Sequence, residues 1–240
     1  VQTCALPIYV MVDPAIRMRE DMEALATAVD RHQGKLIAVV FTHSHSDHLP
    51  DMSLLREAFD VPLWGSEHTS KSVPCDRILA DGEVLQLGEQ AWEVLITPGH
   101  HPGHVCLFSP AGLVAGDMLA GIGTILIPPH TGDMNEYLRQ LERLKALQPH
   151  LVFPSHGPVV AIPDRLIQHY ITHRLARHER VLDAVRNGKH HLEDIATHAY
   201  ADSPDAHPGL AVDQTLSHLH AHLADGKVAH TSEGWVLEGL

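Results

Sequence analysis

Four side chains able to bind a metal ion fall within six residues in His43-Ser44-His45-Ser46-Asp47-His48. Imidazole nitrogen and carboxylate oxygen together suit Zn²⁺ and related divalent cations, at ligand distances of about 2.0 to 2.2 Å. In an extended segment His43 and His45 project to the same side, so one ion can take both. Asp47 and His48, where the chain turns, can face a second. The spacing therefore predicts two metals, and paired divalent ions are an apparatus for hydrolysis by activated water.

The elements that must position this cluster can be read outward from it. It begins within two residues of the end of an apolar run at 36–41, rich in Val and Ile, which predicts a buried strand. Upstream, residues 9–13 read as another strand. Pro14 then opens a helix with Ile16, Met22, Leu25 and Val29 on its apolar face, stopped at Gly34. This αβ unit feeds its polar loop from a strand's carboxyl end, where α/β proteins keep their sites.

Downstream, a short helix at 54–59 and a strand at 61–64 precede two hairpins. The first pairs 83–87 with 92–97 across Gly88-Glu89, and the second pairs 105–108 with 113–115 around Pro110-Ala111-Gly112. Asp133 can cap a helix whose face is Met134, Tyr137, Leu138, Leu141, Leu144 and Leu147, ended by Pro149. A further strand is expected at 151–153. Mixed strands with interspersed helices predict an α/β domain over 9–163, its sheets covered by helices. After Pro163 the texture changes to helices at 164–187, 192–200 and 209–224, then strands at 227–230 and 235–237 around a turn. Helices followed by a terminal hairpin predict a small winged-helix-like α+β domain over 164–240. Residues 1–8, reverse-translated, read as a common sequencing adapter, so they are expected to be foreign to the fold and to mark a missing natural N-terminus.

Composition narrows the class. With 44% hydrophobic and 20% charged residues the 240-residue chain reads as a soluble globular protein. Its apolar runs fall far short of the ~18 residues of a membrane span, so a cytoplasmic location is expected and a membrane partner is not. The net charge of −13 repels polyanions and weighs against nucleic acid as a partner. Cys4, Cys75 and Cys106 are too few and too scattered for a disulfide framework. Of 22 histidines, the late ones such as His169, His173, His178, His218, His220 and His222 are expected at solvent-facing helix positions.

Taken with its downstream partners, the cluster resembles the signature of the metallo-β-lactamase superfamily, H-x-H-x-D-H followed by a His, an Asp and a final His. Thr97-Pro98-Gly99-His100-His101-Pro102-Gly103-His104 resembles the second motif, Ala115-Gly116-Asp117 the third, and Pro154-Ser155-His156-Gly157 the last. The resemblance implies an αββα sandwich, beginning with strands that this chain lacks. It implies that His43, His45 and His104 hold one ion, that Asp47, His48 and His156 hold the other, and that Asp117 bridges them. His100 is then a structural residue behind the ligands. The expected cofactors are two divalent ions, Zn²⁺ first, with Fe and Mn²⁺ accepted by the same donors. Ions about 3.5 to 4 Å apart would share a hydroxide as nucleophile, with Asp47 as the catalytic residue that shuttles a proton. Position 101, commonly threonine in the related motif, is His101 here, which could touch substrate, donate a proton or orient the loop.

Related β-lactamases commonly carry cysteine where Asp117 stands, which argues against an antibiotic substrate. The stretch from Tyr170 to Arg180 and the segment 123–137 look like the branch holding a mitochondrial endoribonuclease and polyketide thioesterases. Arg174, Arg177 and Arg180 could steer a phosphate, but beside Glu179 and Asp183 they read as a solvated, salt-bridged face. Residues 164–240 hold 11 acidic and 7 basic side chains, more in keeping with a cleft wall or a homodimer surface than a nucleic-acid reader. The expected function is hydrolysis of a small-molecule ester or thioester, with His101, Tyr137 and Arg174 touching substrate. Cleavage of single-stranded RNA and a non-catalytic metal-binding scaffold are the alternatives.

Overall fold

The structure is a computed structural model that describes residues 8–31 and 34–239. Strands β1 (Ile8–Val12), β2 (Lys35–Val40), β3 (Leu63–Ser66) and β4 (Arg77–Leu79) pair in that order as a parallel sheet. β5 (Val84–Leu87), β6 (Gln90–Ile96), β7 (Val105–Ser109), β8 (Gly112–Gly116) and β9 (Val152–Pro154) form a second sheet, antiparallel up to its final, parallel β8–β9 pair.

The two-residue period of a strand separates the layers. Ala38 and Val40 of β2 meet Val94, Val105 and Leu107 of the second sheet between the two sheets. Their neighbours Val39 and Phe41 face outward to Met22 of α1 (Arg19–Arg31) and Leu55 of α2 (Met52–Ala58). In the second sheet, Leu95, Cys106, Leu113 and Ala115 face the other way, to Tyr137, Leu141 and Leu144 of α3 (Met134–Ala146). The result is the αββα sandwich that the resemblance implied.

Local chemistry explains the helix starts. The Asp51 carboxylate accepts from Ser53 N and Leu54 N to cap α2, and Asp133 accepts from Glu136 N at 2.9 Å to cap α3. The helix expected from Pro14 instead begins at Arg19. Asp13 takes a left-handed backbone with φ 45°, and two tight turns, Ala15 N to Asp13 O and Ile16 N to Pro14 O, occupy the intervening backbone. β4 was not anticipated, because three residues led by an arginine carry no readable periodicity. Of the adapter-like stretch, residues 1–7 lie outside the described residues, and Ile8 opens β1.

Beyond the sandwich come α4 (Pro163–Arg186), α5 (Leu192–Ala199), α6 (Pro208–Ala224) and a hairpin of β10 (Val228–Thr231) with β11 (Gly234–Leu237). The boundary expected at residue 163 falls at the start of a helix shared by two cores. Ile167, Tyr170 and Ile171 of α4 pack on the second sheet's outer core, while Val181, Leu182 and Val185 join Ile195, Leu219, Val228 and Trp235 in a smaller one.

That double role corrects two expectations. His218 and His222 are buried, not solvent-facing: His178 stacks on His222 with ring centroids 3.5 Å apart, and His178 Nδ1 lies 3.2 Å from His218 Nδ1. Arg174 and Arg177 are likewise buried. Arg177 reaches Asp202 and lies over the Tyr200 ring, so α4 presents no row of solvated arginines.

Burial, reinforced by His222 and Lys227, pushes the His178 imidazole down to about 4 from its ordinary 6.5. The unfolded chain therefore takes up this proton before the native one does, and stability from His178 is lost as pH falls from 6.5 towards 4. Melting temperatures over that window are expected to fall more steeply for the wild type than for His178→Gln. Parallel curves would show that the ring is solvated in solution.

Candidate metal centre

The chemistry-bearing loops leave the carboxyl ends of β2, β6, β8 and β9, which bring their side chains to one end of the sandwich. Val105 N donates to Thr42 O at 2.8 Å, joining the two sheets beneath the site. From β2 the chain leaves the sheet through His43 and turns where His48 N donates to His45 O.

Hydrogen-bond partners fix which ring nitrogen of His43, His48 and His100 faces the site. The Asp13 carboxylate accepts from Thr42 N at 2.8 Å, from the Thr42 hydroxyl at 2.6 Å and from His48 Nδ1 at 3.0 Å. With its proton given to Asp13, the Thr42 hydroxyl accepts from His43 Nδ1 at 3.0 Å, which leaves His43 Nε2 as the lone-pair nitrogen. His100 Nδ1 donates to Leu126 O at 2.6 Å, which does the same for His100 Nε2. His45 Nδ1 then lies 3.0 Å from His43 Nε2 and 2.9 Å from His100 Nε2, and those two are 3.3 Å apart.

A second group lies beside the first. His48 Nε2 and His156 Nε2 sit 3.8 and 3.5 Å from Asp47 Oδ2, and 3.4 and 3.5 Å from Asp117 Oδ1. The other oxygen of Asp117 is 3.5 Å from His100 Nε2, so this one buried carboxylate faces both groups. Burial alone would raise the Asp117 carboxyl, but His48, His100 and His156 outweigh it and hold it below its usual range. Burial works against charge on His48, yet the Asp117 and Asp13 carboxylates raise that imidazole to about 10. Burial lowers His43 and His100, keeping those rings neutral and able to donate a lone pair.

These residues fit a pair of cations. His48 Nε2 and Asp117 Oδ1 are buried without a hydrogen-bond partner, although such groups are rarely left unpaired. The lone pairs of His43 and His100, with His45 Nδ1 between them, converge within 3.3 Å, and either a proton on His45 Nδ1 or a cation there offsets their repulsion. His43, His45 and His100, and separately Asp47, His48 and His156, are each grouped closely enough for one ion.

The geometry differs from the expected ligand set at two histidines. His104 Nε2 accepts from Asp117 N at 2.9 Å and His104 Nδ1 donates to Thr97 Oγ1 at 2.8 Å, so both its nitrogens are occupied and the ring is fully buried. His100, expected behind the ligands, takes the place beside His43 and His45. Gly116, with φ 49°, permits this packing, since a Cβ there would lie 2.5 Å from His104 Nε2.

None of the three expected substrate contacts faces the site openly. Tyr137 is fully buried, donates its hydroxyl to Met118 O at 2.8 Å and packs its backbone on Gly99, where a Cβ would lie 2.4 Å from Tyr137 Cα. Arg174 is 2% exposed and bound to Gln214 and Thr124. His101 Nδ1 accepts from Gly103 N at 3.0 Å and Nε2 then donates to Ser44 Oγ at 3.1 Å, so a ring that is 6% exposed ties the 97–104 loop to the 43–48 loop. Sequence reasoning missed Asp13, whose signal was a lone carboxylate closing an apolar strand, and Arg17, whose guanidinium bonds the Ser46 carbonyl.

Asp13→Ala is expected to weaken divalent-ion binding by the His48 group about 10- to 100-fold, the usual range when a ligand's outer partner is lost. Zn²⁺ titration of the purified variant checks this, and an unchanged pair of affinities would remove Asp13 from the site.

Comparison with known proteins agrees with this architecture. The chain is 26% identical over 196 residues to a beta-lactamase-like protein 2 homolog of Caenorhabditis elegans, covering 77% of this chain and 64% of that protein. It is 27% identical over 169 residues to an atrochrysone carboxyl ACP thioesterase of Aspergillus fumigatus, covering 69% of this chain and 52% of the relative. The chain thus spans under two thirds of the length of either relative. Among solved structures, a beta-lactamase domain protein from Burkholderia ambifaria superposes with a TM-score of 0.77 at 23% identity, covering 95% of this chain and 82% of that one. A family profile described as metallo-beta-lactamase superfamily matches residues 9–156, a span that holds both donor clusters and Asp117, and the chain belongs to that superfamily.

Proposed function

We propose that this chain is a dinuclear metal-dependent hydrolase acting on an ester or thioester of a small molecule. One observation carries the reading: two three-residue donor groups lie on either side of a buried carboxylate that faces both. His43, His45 and His100 would hold one ion, Asp47, His48 and His156 the other, and Asp117 would touch both. The donors are nitrogen and carboxylate oxygen without sulfur, which suits Zn²⁺ and also accepts Fe or Mn²⁺. Such ions supply Lewis acidity and lower the pKa of water.

The chain's own residues supply the rest. Asp13 and Leu126 O orient His48 and His100 from behind, so neither ring must reorganise when it binds. Asp47 is exposed, with Oδ2 3.5 Å from His156 Nε2, which supports it as the group that carries a proton between the site and solvent. Arg174 and Arg177 are buried on polar groups of the fold, which removes them as phosphate guides and supports an acyl substrate over RNA. The thioesterase name of the Aspergillus relative points to the same class. Among the described residues no helix is long and apolar enough to cross a membrane.

Metal analysis with turnover of an acyl thioester, a lactone and a fluorogenic single-stranded RNA tests the reading. The wild type is expected to hold two ions and cleave the thioester or lactone. His100→Ala is expected to hold one ion and lose at least about 100-fold in kcat/KM, beyond the usual cost of losing an outer partner. His104→Gln is expected to keep both ions while melting at lower temperature. Cleavage of RNA alone would overturn the substrate class, and two bound ions with no turnover would indicate a scaffold.

A further inference from the structure

The segment from Gly121 to Gly132, which backs His100 through Leu126 O, has no regular secondary structure, so its backbone groups must find partners elsewhere. They find them on α4 and α6. Gln214 Oε1 accepts from Ile127 N at 3.2 Å while Gln214 Nε2 donates to Ile127 O at 2.8 Å, so one amide side chain grips both backbone groups of one residue. Ser217 Oγ donates to the same carbonyl at 2.6 Å. Arg174 donates to Gln214 Oε1 at 2.8 Å and to Thr124 Oγ1 at 3.0 Å, and it also bonds the Ile125 carbonyl.

The gripped residues flank a single carbonyl. Ile125 and Ile127 are buried, whereas the Leu126 side chain between them is partly exposed, the alternation of a segment whose two ends are anchored. Leu126 O accepts the Nδ1 proton of His100 at 2.6 Å. A displacement of that carbonyl would free Nδ1 and let the ring rotate or change tautomer, withdrawing Nε2 from His43 and His45. Among the described residues Arg174 has no carboxylate as a hydrogen-bond partner, and its buried charge faces Gln214, Thr124, a carbonyl and the Tyr137 ring 5.8 Å away. A buried cation so compensated is a costly way to stabilise a fold, and its geometry is directed at this segment.

We propose that Gln214, supported by Arg174 and Ser217, is a positioning residue for His100: it fixes the Leu126 carbonyl, which fixes the tautomer and direction of the His100 ring. The C-terminal lobe thereby becomes part of one half of the metal centre. This rests on the ligand assignment proposed above, but the tautomer can be read without any metal.

The test uses the full chain with Gln214→Leu, which keeps side-chain bulk and removes the amide. In the chelator-treated wild type, a long-range ¹H–¹⁵N imidazole spectrum is expected to show His100 as a single tautomer protonated at Nδ1. Gln214→Leu is expected to give a tautomer mixture. In Zn²⁺ titration one of two ions is expected to weaken at least about 10-fold, while the other changes much less. An unchanged His100 signal, or two ions weakened equally in step with a lower melting temperature, would overturn the proposal. If Gln214→Leu does not fold, Ser217→Ala, which removes one of two donors to Ile127 O, is read the same way with a smaller expected shift. A wild type that binds no ion would defeat the metal-centre reading, and the His100 tautomer would still decide the positioning role.

Discussion

The Asp13 carboxylate is the contact on which the site depends. It accepts from Thr42 N, from the Thr42 hydroxyl and from His48 Nδ1, and Ser155 Oγ lies 3.3 Å from it. Those bonds tie the end of β1 to the loop after β2 and to the loop after β9, the two segments that carry His43, His48 and His156. Through Thr42 it also sets the tautomer of His43. Its left-handed backbone is the local cost of turning the chain so that the carboxylate points inward.

From that contact outward the centre is built of polar groups whose second partners are protein atoms. His48 is backed by Asp13, His43 by Thr42 and His100 by a main-chain carbonyl, so each turns its Nε2 inward. His104 closes the arrangement from below by accepting the Asp117 N–H, which directs that carboxylate into the space between the two groups. Neutral rings on one side and a raised His48 beside two carboxylates on the other show how far neighbours, more than residue type, govern charge here.

The sandwich and the C-terminal lobe meet through α4 and α6, and the meeting is polar where it approaches the site. Buried Arg174, Gln214 and Ser217 satisfy a segment that forms no ladder of its own. An apolar contact could have held this segment with less desolvation, but it could not have selected the orientation of one carbonyl.

Much of the fold was legible because its signals are local. The unbroken apolar run through Ala38, Val39, Val40 and Phe41 announces a strand buried on both faces, and Asp133 before Met134, Tyr137 and Leu141 announces a capped amphipathic helix. Spacing along the chain was enough to show that His43, His45, Asp47 and His48 form one cluster and that Asp117 and His156 follow strands. It could not decide among the three histidines of His100-His101-Pro102-Gly103-His104, which are alike in type and adjacent in the chain. That choice was tertiary. His104 meets Thr97 where β6 and β7 pair, which turns its ring beneath the sheets. His100, held by Leu126 O from a segment 26 residues away, is turned towards His43. Burial of Arg174 and His218 was invisible for the same reason: it is set by elements distant in sequence that pack around them, not by the residues beside them.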